Sequence, residues 1–187
     1  MPIKTLVVYI GRFQPFHNGH LSVYNSLINK YGKESVCIIT SDPKAIDLRN
    51  PFTFDQKKEM IEACGINKVF PMMGSGYSAI AIGRTTGVEL TNTVLVVAVG
   101  EKDADRLKGN FYKGLYDDFK YHDTMDAAGY FEVIQNYDGE EGVLSATEIR
   151  EYIHQGIIRR IQNVVPKGVY KWLIINNIIE DNLNEAE

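Results

Sequence analysis

The stretch from Thr5 to Thr40 limits the fold more than any other part of this 187-residue chain. Thr5-Leu-Val-Val-Tyr-Ile10 is a short apolar run closed by Gly11, and it reads as a buried strand. From Asn18 the period changes. Leu21, Tyr24, Leu27, Ile28 and Tyr31 fall on one helical face, and Gly32 stops the helix. Ser35-Val-Cys-Ile-Ile-Thr40 is a second apolar run. With a helix between them the two strands are too far apart in sequence for a hairpin. They are therefore expected to be parallel, joined by a right-handed crossover.

The pattern repeats. Thr53-Phe-Asp-Gln56 has the spacing of a capping box and opens a helix to about Cys64, with Gly65 beyond it. Lys68–Met73 reads as a strand. A helix is expected around Ser78–Arg84, broken by Gly83 and Gly87, and Thr93–Val99 reads as a central strand. Residues 101–129 mix charge, glycine and aromatics, and we expect loops with short helical turns there. Tyr130–Ile134 reads as a strand, Ser145 opens a helix, and another helix begins near Pro166 and runs to about Ile179. The polar tail 180–187 is expected to fray. The alternation predicts an α/β fold with an open, mainly parallel sheet and helices on both faces. We expect a single domain over residues 1–187 with a C-terminal helical segment at about 145–180. Ligands of such sheets bind beyond the carboxyl ends of the strands, where Gly11, Ser41, Gly74 and Gly100 should gather.

Composition narrows the function. The formal net charge is −4, which argues against bulk binding to nucleic acid. No apolar run approaches the roughly 18 residues of a membrane span. The N-terminus has no signal-peptide pattern, so a cytoplasmic protein is expected. Cys37 and Cys64 are far apart and suggest no disulfide or metal framework.

The chemistry concentrates in Gly11-Arg-Phe-Gln-Pro-Phe-His-Asn-Gly-His20. Gly11 after a strand lets a ligand approach the backbone. His17 and His20 lie on one side of a helical turn, Gly19 leaves space between them, and the helix N-terminus favours phosphate. The imidazoles can donate hydrogen bonds to phosphate oxygens. A turn with two incidental histidines, or half of a metal site, would share the spacing, but no matching set of further ligands accompanies it.

This segment resembles the signature of the HxGH nucleotidyltransferases. With Arg12, Phe13, Gln14 and Pro15 included, it is most similar to the archaeal-type nicotinamide mononucleotide adenylyltransferases. The resemblance implies a Rossmann-like fold that joins ATP and a mononucleotide to give a dinucleotide and pyrophosphate. Leu144-Ser-Ala-Thr-Glu-Ile-Arg150 reads on its own as a capping box between Ser145 and Glu148. It also resembles the family's Ser-x-Thr-x-x-Arg motif, which implies that Ser145, Thr147 and Arg150 hold the β- and γ-phosphates. Ala146 stands where the family commonly has glycine. Arg49-Asn-Pro-Phe-Thr53 resembles the family's Arg-x-Pro-Phe-Thr segment, implying a phosphate contact for Arg49. The bland alternative is a proline-containing turn with a solvated arginine. Gly100, at the end of a central strand, is expected at the nucleotide. Asp103 and Asp105 beyond it lie either near the ribose or in a solvated charged loop.

The resemblance implies catalytic roles for His17, His20 and Arg150. It also implies Mg2+ entering with ATP, and it admits a homo-oligomer. One departure bears on the acceptor. The archaeal-type enzymes stack nicotinamide on a mid-chain tryptophan, whereas Trp172 falls in the last expected helix. Asn50, Phe52 and Tyr77 are the alternative acceptor contacts. Alternatives to nicotinamide mononucleotide as acceptor are another phosphorylated compound, with ATP or CTP, or a non-catalytic nucleotide-binding regulator.

Overall fold

In the computed structural model, which describes residues 3–109, 111–135, 138–139, 142–143 and 145–180, the first apolar run forms β1 (Lys4–Gly11). It is followed by α1 (Asn18–Tyr31), β2 (Val36–Thr40), α2 (Phe54–Glu62), β3 (Val69–Pro71) and α3 (Ala79–Thr86). Next come β4 (Thr93–Val99), α4 (Glu101–Leu107), β5 (Tyr112–Leu115) and β6 (Gly129–Val133). The short strands β7 (Asp138–Gly139) and β8 (Gly142–Val143) pair antiparallel. Helices α5 (Ala146–Gln155), α6 (Ile158–Val164) and α7 (Lys167–Ile175) complete the chain.

Six strands form one open sheet in the order β3-β2-β1-β4-β6-β5. β1 runs parallel to β2 and β4, and β6 runs parallel to β4 and β5. Val7 lies opposite Val36 on one side and Val96 on the other. All residues of β2 and β4 are buried, as expected for parallel strands covered on both faces. Leu6, Val8, Leu95, Val97 and Val99 share a core cluster with Ile82 of α3, Ala104 of α4, Met125 and Phe131. The chain adds β2 and β3 on one side of β1, then returns to place β4 on the other. The switch point thus lies between β1 and β4, and Gly11 and Gly100 leave these adjacent strands at their carboxyl ends.

The chain forms two compact units. The sheet unit comprises Met1–Gly11, Val23–Ser41 and Phe70–Asn136, and the second unit comprises Arg12–Ser22, Asp42–Val69 and Tyr137–Glu187. In the second unit α2 and α7 pack closely. A Cβ on Gly168 would lie 2.2 Å from the Ala63 carbonyl oxygen, so only glycine fits there.

Several elements differ from expectation. α3 runs through Gly83 and ends only at Gly87, whose φ of 73° suits a left-handed cap. Gly83 is held inside the helix by close packing, since a Cβ there would meet Leu90 at 2.7 Å. The charged stretch after Gly100, where short helical turns among loops are expected, opens on helix α4, with the Asp103 and Ala104 N–H groups donating to the Gly100 carbonyl. β5 lay in the stretch read as loops. It has four residues, one a glycine, and its pairing with β6 shifts register between Tyr112 and Leu115, too short and irregular to show a period. The strand expected over Lys68–Met73 shrinks to Val69–Pro71, and the last helix stops at Ile175 rather than near Ile179. Helix α6 had no separate signal between Ser145 and Pro166. The tail from 181 and Leu144 lie outside the described residues.

Candidate active site

β1 delivers the chain into residues 12–17, which are fixed by buried side chains. Phe13 has a φ of 48°, a conformation uncommon for a bulky residue. Its ring is buried and meets His20 edge-on, with centroids 4.8 Å apart. Phe16, fully buried, stacks on His20 at 5.5 Å. Phe13 therefore packs against the histidine side chain, and its buried ring has no face turned to a phosphate. Gly19 is buried in the first turn of α1.

His17 and His20 stack with ring centroids 3.5 Å apart. The His17 backbone N–H donates to His20 Nδ1 at 3.2 Å, and the His20 N–H donates to His17 Nδ1 at 3.3 Å. Each Nδ1 is thus an acceptor, which puts the proton of each neutral ring on Nε2. Burial pushes His17 down to about 4. Burial, reinforced by neighbouring His17, pushes His20 well below the ordinary histidine range. At neutral pH the pair presents Nε2–H donors rather than positive charge.

Gln14 joins two of the sequence motifs. Its buried side-chain amide donates to the Phe52 carbonyl at 2.8 Å and accepts from the Phe52 N–H at 3.0 Å. The Gln14 carbonyl accepts from Arg150 Nη1 at 2.9 Å. Lys57 of α2, fully buried, donates from Nζ to the Arg12 carbonyl at 3.0 Å, and burial lowers it to about 8. Gln14 thus scaffolds the segment, its side-chain amide bonded to both backbone groups of Phe52. Phe52, proposed from sequence as an acceptor contact, is 2% exposed and meets Trp172 edge-on at 6.2 Å. Trp172 itself donates to Glu59 at 2.8 Å. Both rings belong to the packing of α2 and α7, because the capping box at Thr53 turns the chain inward at this point.

Arg49 and Asn50 sit in a turn organised by Asp47. The Asp47 Oδ1 accepts from the backbone N–H groups of Arg49 and Asn50 at 2.8 and 2.7 Å and from Asn50 Nδ2 at 3.2 Å. Those hydrogen bonds, Asn50's first, hold its carboxyl below the usual range. On α5, Ser145 caps the helix by accepting from the Glu148 N–H at 3.2 Å. The expected reciprocal box is absent: the Glu148 carboxylate accepts from the Ser145 hydroxyl at 2.9 Å instead of from its backbone. Arg150 Nη2 donates to Thr147 Oγ1 at 3.0 Å.

These segments enclose a cavity of about 520 Å3 lined by Arg12, Leu48, Arg49, Thr147, Arg150, Glu151, His154 and Gln155, within the size range of small-molecule sites. Burial, followed by the charges of Arg12 and Arg49, lowers the Arg150 pKa. Three arginines lining one cavity favour an anion over a cation there. His17, His20 and Ser145 belong to the same unit but are not among the lining residues. Gly11, Gly100 and Tyr77 belong to the sheet unit. There the Tyr77 carbonyl accepts from the Tyr112 hydroxyl at 2.6 Å, and its ring packs on the core. Asp103 pairs with Arg106 at 3.3 Å on α4, one turn apart.

Sequence reasoning missed Lys57, Glu151, His154 and Gln155. The last three carried a signal, since Thr147, Arg150, Glu151, His154 and Gln155 follow the i, i+3, i+4, i+7, i+8 spacing of one helical face. Lys57 carried none, since lysine is rarely buried and its partner is a backbone carbonyl in a distant segment. Among the described residues no three His, Cys, Asp or Glu side chains gather as a metal site. Among the described residues no helix is long and apolar enough to cross a membrane.

Residues 8–152 match the family described as Cytidylyltransferase-like. The chain belongs to the cytidylyltransferase-like family. The match begins within β1 and ends within α5, so it includes Arg12, Arg49, Thr147 and Arg150 of the cavity wall, while His154 and Gln155 lie beyond it. Among curated relatives, the nicotinamide-nucleotide adenylyltransferase of Sulfurisphaera tokodaii is 42% identical over 55 residues, 29% of this chain and 31% of that protein. The match thus spans less than a third of that relative's length. The enzyme of the same name from Thermococcus onnurineus is 27% identical over 180 residues, 92% of this chain and 83% of that protein. A bifunctional NMN adenylyltransferase/ADP ribose pyrophosphatase from Francisella tularensis, solved with AMP and a manganese ion, shares the fold. Its TM-score is 0.60 at 21% identity, covering 94% of this chain and 50% of that one.

Proposed function

We propose that this cytidylyltransferase-like protein transfers AMP from ATP to nicotinamide mononucleotide, forming NAD and pyrophosphate. The observation that carries the reading is the cavity in which Arg12, Arg49, Thr147 and Arg150 converge, together with the names of relatives that align along most of the chain. A phosphate oxygen of the acceptor attacks the α-phosphorus in line. The bond to the β-phosphate oxygen breaks, and pyrophosphate leaves with that electron pair. No covalent intermediate is needed, so catalysis rests on positioning and on stabilising developing charge.

In this reading Arg150 and Thr147 hold the departing pyrophosphate, and Arg12 and Arg49 fix phosphates at the cavity wall. His17 and His20 donate from Nε2 to phosphate oxygens. Their neutrality suits this role, because a neutral donor in a buried site costs less desolvation than a charged one. Ser145 presents the N-terminus of α5. Magnesium fits as a companion of the triphosphate. It would be carried by phosphate oxygens and water, with Glu151 the acidic side chain on the cavity wall, and would supply further charge neutralisation.

The engagement of Trp172 with Glu59 and Phe52 removes the one tryptophan from acceptor stacking. It therefore favours testing a second reading, in which ATP or CTP is joined to another phosphorylated acceptor. Pyrophosphate release should be screened with ATP and CTP against nicotinamide mononucleotide, nicotinic acid mononucleotide, flavin mononucleotide and simple alcohol phosphates. Preference for ATP with nicotinamide mononucleotide supports the proposal. Release confined to another pair replaces the acceptor, and ATP binding without release with any acceptor defeats nucleotidyl transfer.

A further inference from the structure

The phosphate cavity continues past the residues that the proposed function uses. Helix α5 carries Thr147 and Arg150 on one face, and His154 follows Arg150 by one turn on that same face. The rise of a helix puts it about 6 Å further along the axis. His154 is exposed and lines the same cavity as the three arginines. Glu151 also lines the cavity, and its carboxylate offsets part of the positive charge. A carboxylate on this wall repels phosphate, so a short anion held by Arg150 gains little by extending along α5. A longer anion, already held at the arginine end, gains an imidazole donor.

We infer that His154 is a specificity-determining residue that reads the length of the bound polyphosphate chain, favouring a triphosphate over a pyrophosphate. The inference rests on the reading of this cavity as the phosphate site. Leu48, also exposed on the cavity wall, has an apolar side chain that cannot donate.

The test is calorimetric titration of inorganic tripolyphosphate and pyrophosphate into the whole protein, comparing wild type with His154→Ala, His154→Gln and Arg150→Ala. Wild type should bind tripolyphosphate several-fold more tightly than pyrophosphate. His154→Ala should weaken tripolyphosphate by about 3- to 10-fold, the scale of one ordinary hydrogen bond at an exposed site. Pyrophosphate should change less than about twofold by the same reasoning, and His154→Gln, which keeps a donor, should recover part of the preference. Unchanged tripolyphosphate affinity in His154→Ala, or an equal loss for both ligands, overturns the inference. Arg150→Ala separates it from the parent reading. If that variant weakens both ligands while His154→Ala weakens neither, only the length-reading role fails. If wild type binds neither ligand, or Arg150→Ala binds both as wild type does, the phosphate site itself fails.

Discussion

Strand β4 and residues 13–17 are both buried, but they are held in place by different bonds. β4 is laddered to β1 on one side and to β6 on the other, and all seven of its residues are apolar or threonine and buried. The segment 12–17 is fixed by an amide from Gln14 to Phe52, an ammonium from Lys57 to the Arg12 carbonyl, and a guanidinium from Arg150 to the Gln14 carbonyl. In the sheet unit, stability is spread over many equivalent contacts. In the second unit a few side-chain-to-backbone bonds decide both where the chain runs and where the arginines point. A substitution in β4 should thus cost stability alone, whereas one in the second unit should change the cavity as well.

The largest expected effect is at Arg150. Arg150→Ala should lower turnover by about 100- to 1000-fold, the usual loss when one transition-state donor is removed. The fold should survive, with stability lower by about 1–3 kcal/mol because the Gln14 carbonyl loses its guanidinium donor. Steady-state kinetics beside a thermal melt checks this, and a collapse of the fold would erase the contrast between the units.

Acid should act next. His17 is depressed in the folded state to about 4, against about 6.5 for an unperturbed histidine. Between those values the unfolded chain takes up a proton that the folded chain refuses, so stability is present above pH 6.5 and is lost as pH falls towards 4. The loss is roughly 3 kcal/mol at most. Urea titrations at pH 7 and pH 4.5 should show it, with His17→Asn flattening the difference. An unchanged pH dependence in that variant would contradict the buried neutral pair.

Gln14→Leu and Leu95→Ala should cost similar stability by different routes. The first strands the Phe52 N–H and carbonyl at about 1–3 kcal/mol each, and the second opens a cavity in β4 at about 2–5 kcal/mol. They should part in kinetics: Gln14→Leu raises KM for ATP, and Leu95→Ala leaves the KM of the folded fraction unchanged. If both raise KM alike, the distinction between the units is lost. The smallest effect is at Ser145, where alanine removes a helix cap worth about 1 kcal/mol. Denaturant midpoints would measure it.

The same contrast explains what the sequence showed. The strands β1, β2 and β4 were legible because buried parallel strands read as unbroken apolar runs, and the capping box at Thr53 was legible because it is local. β5 was not, since four residues with a glycine carry no period. At the site, Arg12, Arg49, Thr147 and Arg150 were found through their motifs and do meet in one cavity. The scaffolding roles of Phe13, Gln14 and Phe52 were hidden, because a motif records which residues occur together and not which of them face the solvent. His154 was visible only as helical spacing, and Lys57 was not visible at all, because its partner lies 45 residues away.

The central claim is that this cavity transfers AMP to nicotinamide mononucleotide. Its most direct test is to mix purified protein with ATP, nicotinamide mononucleotide and magnesium and to follow NAD and pyrophosphate together, in wild type and in Arg150→Ala. The account predicts equal amounts of NAD and pyrophosphate from wild type and a rate lower by about two to three orders of magnitude in the variant. Absence of NAD from the folded wild-type protein, or an Arg150→Ala rate equal to it, would contradict the account.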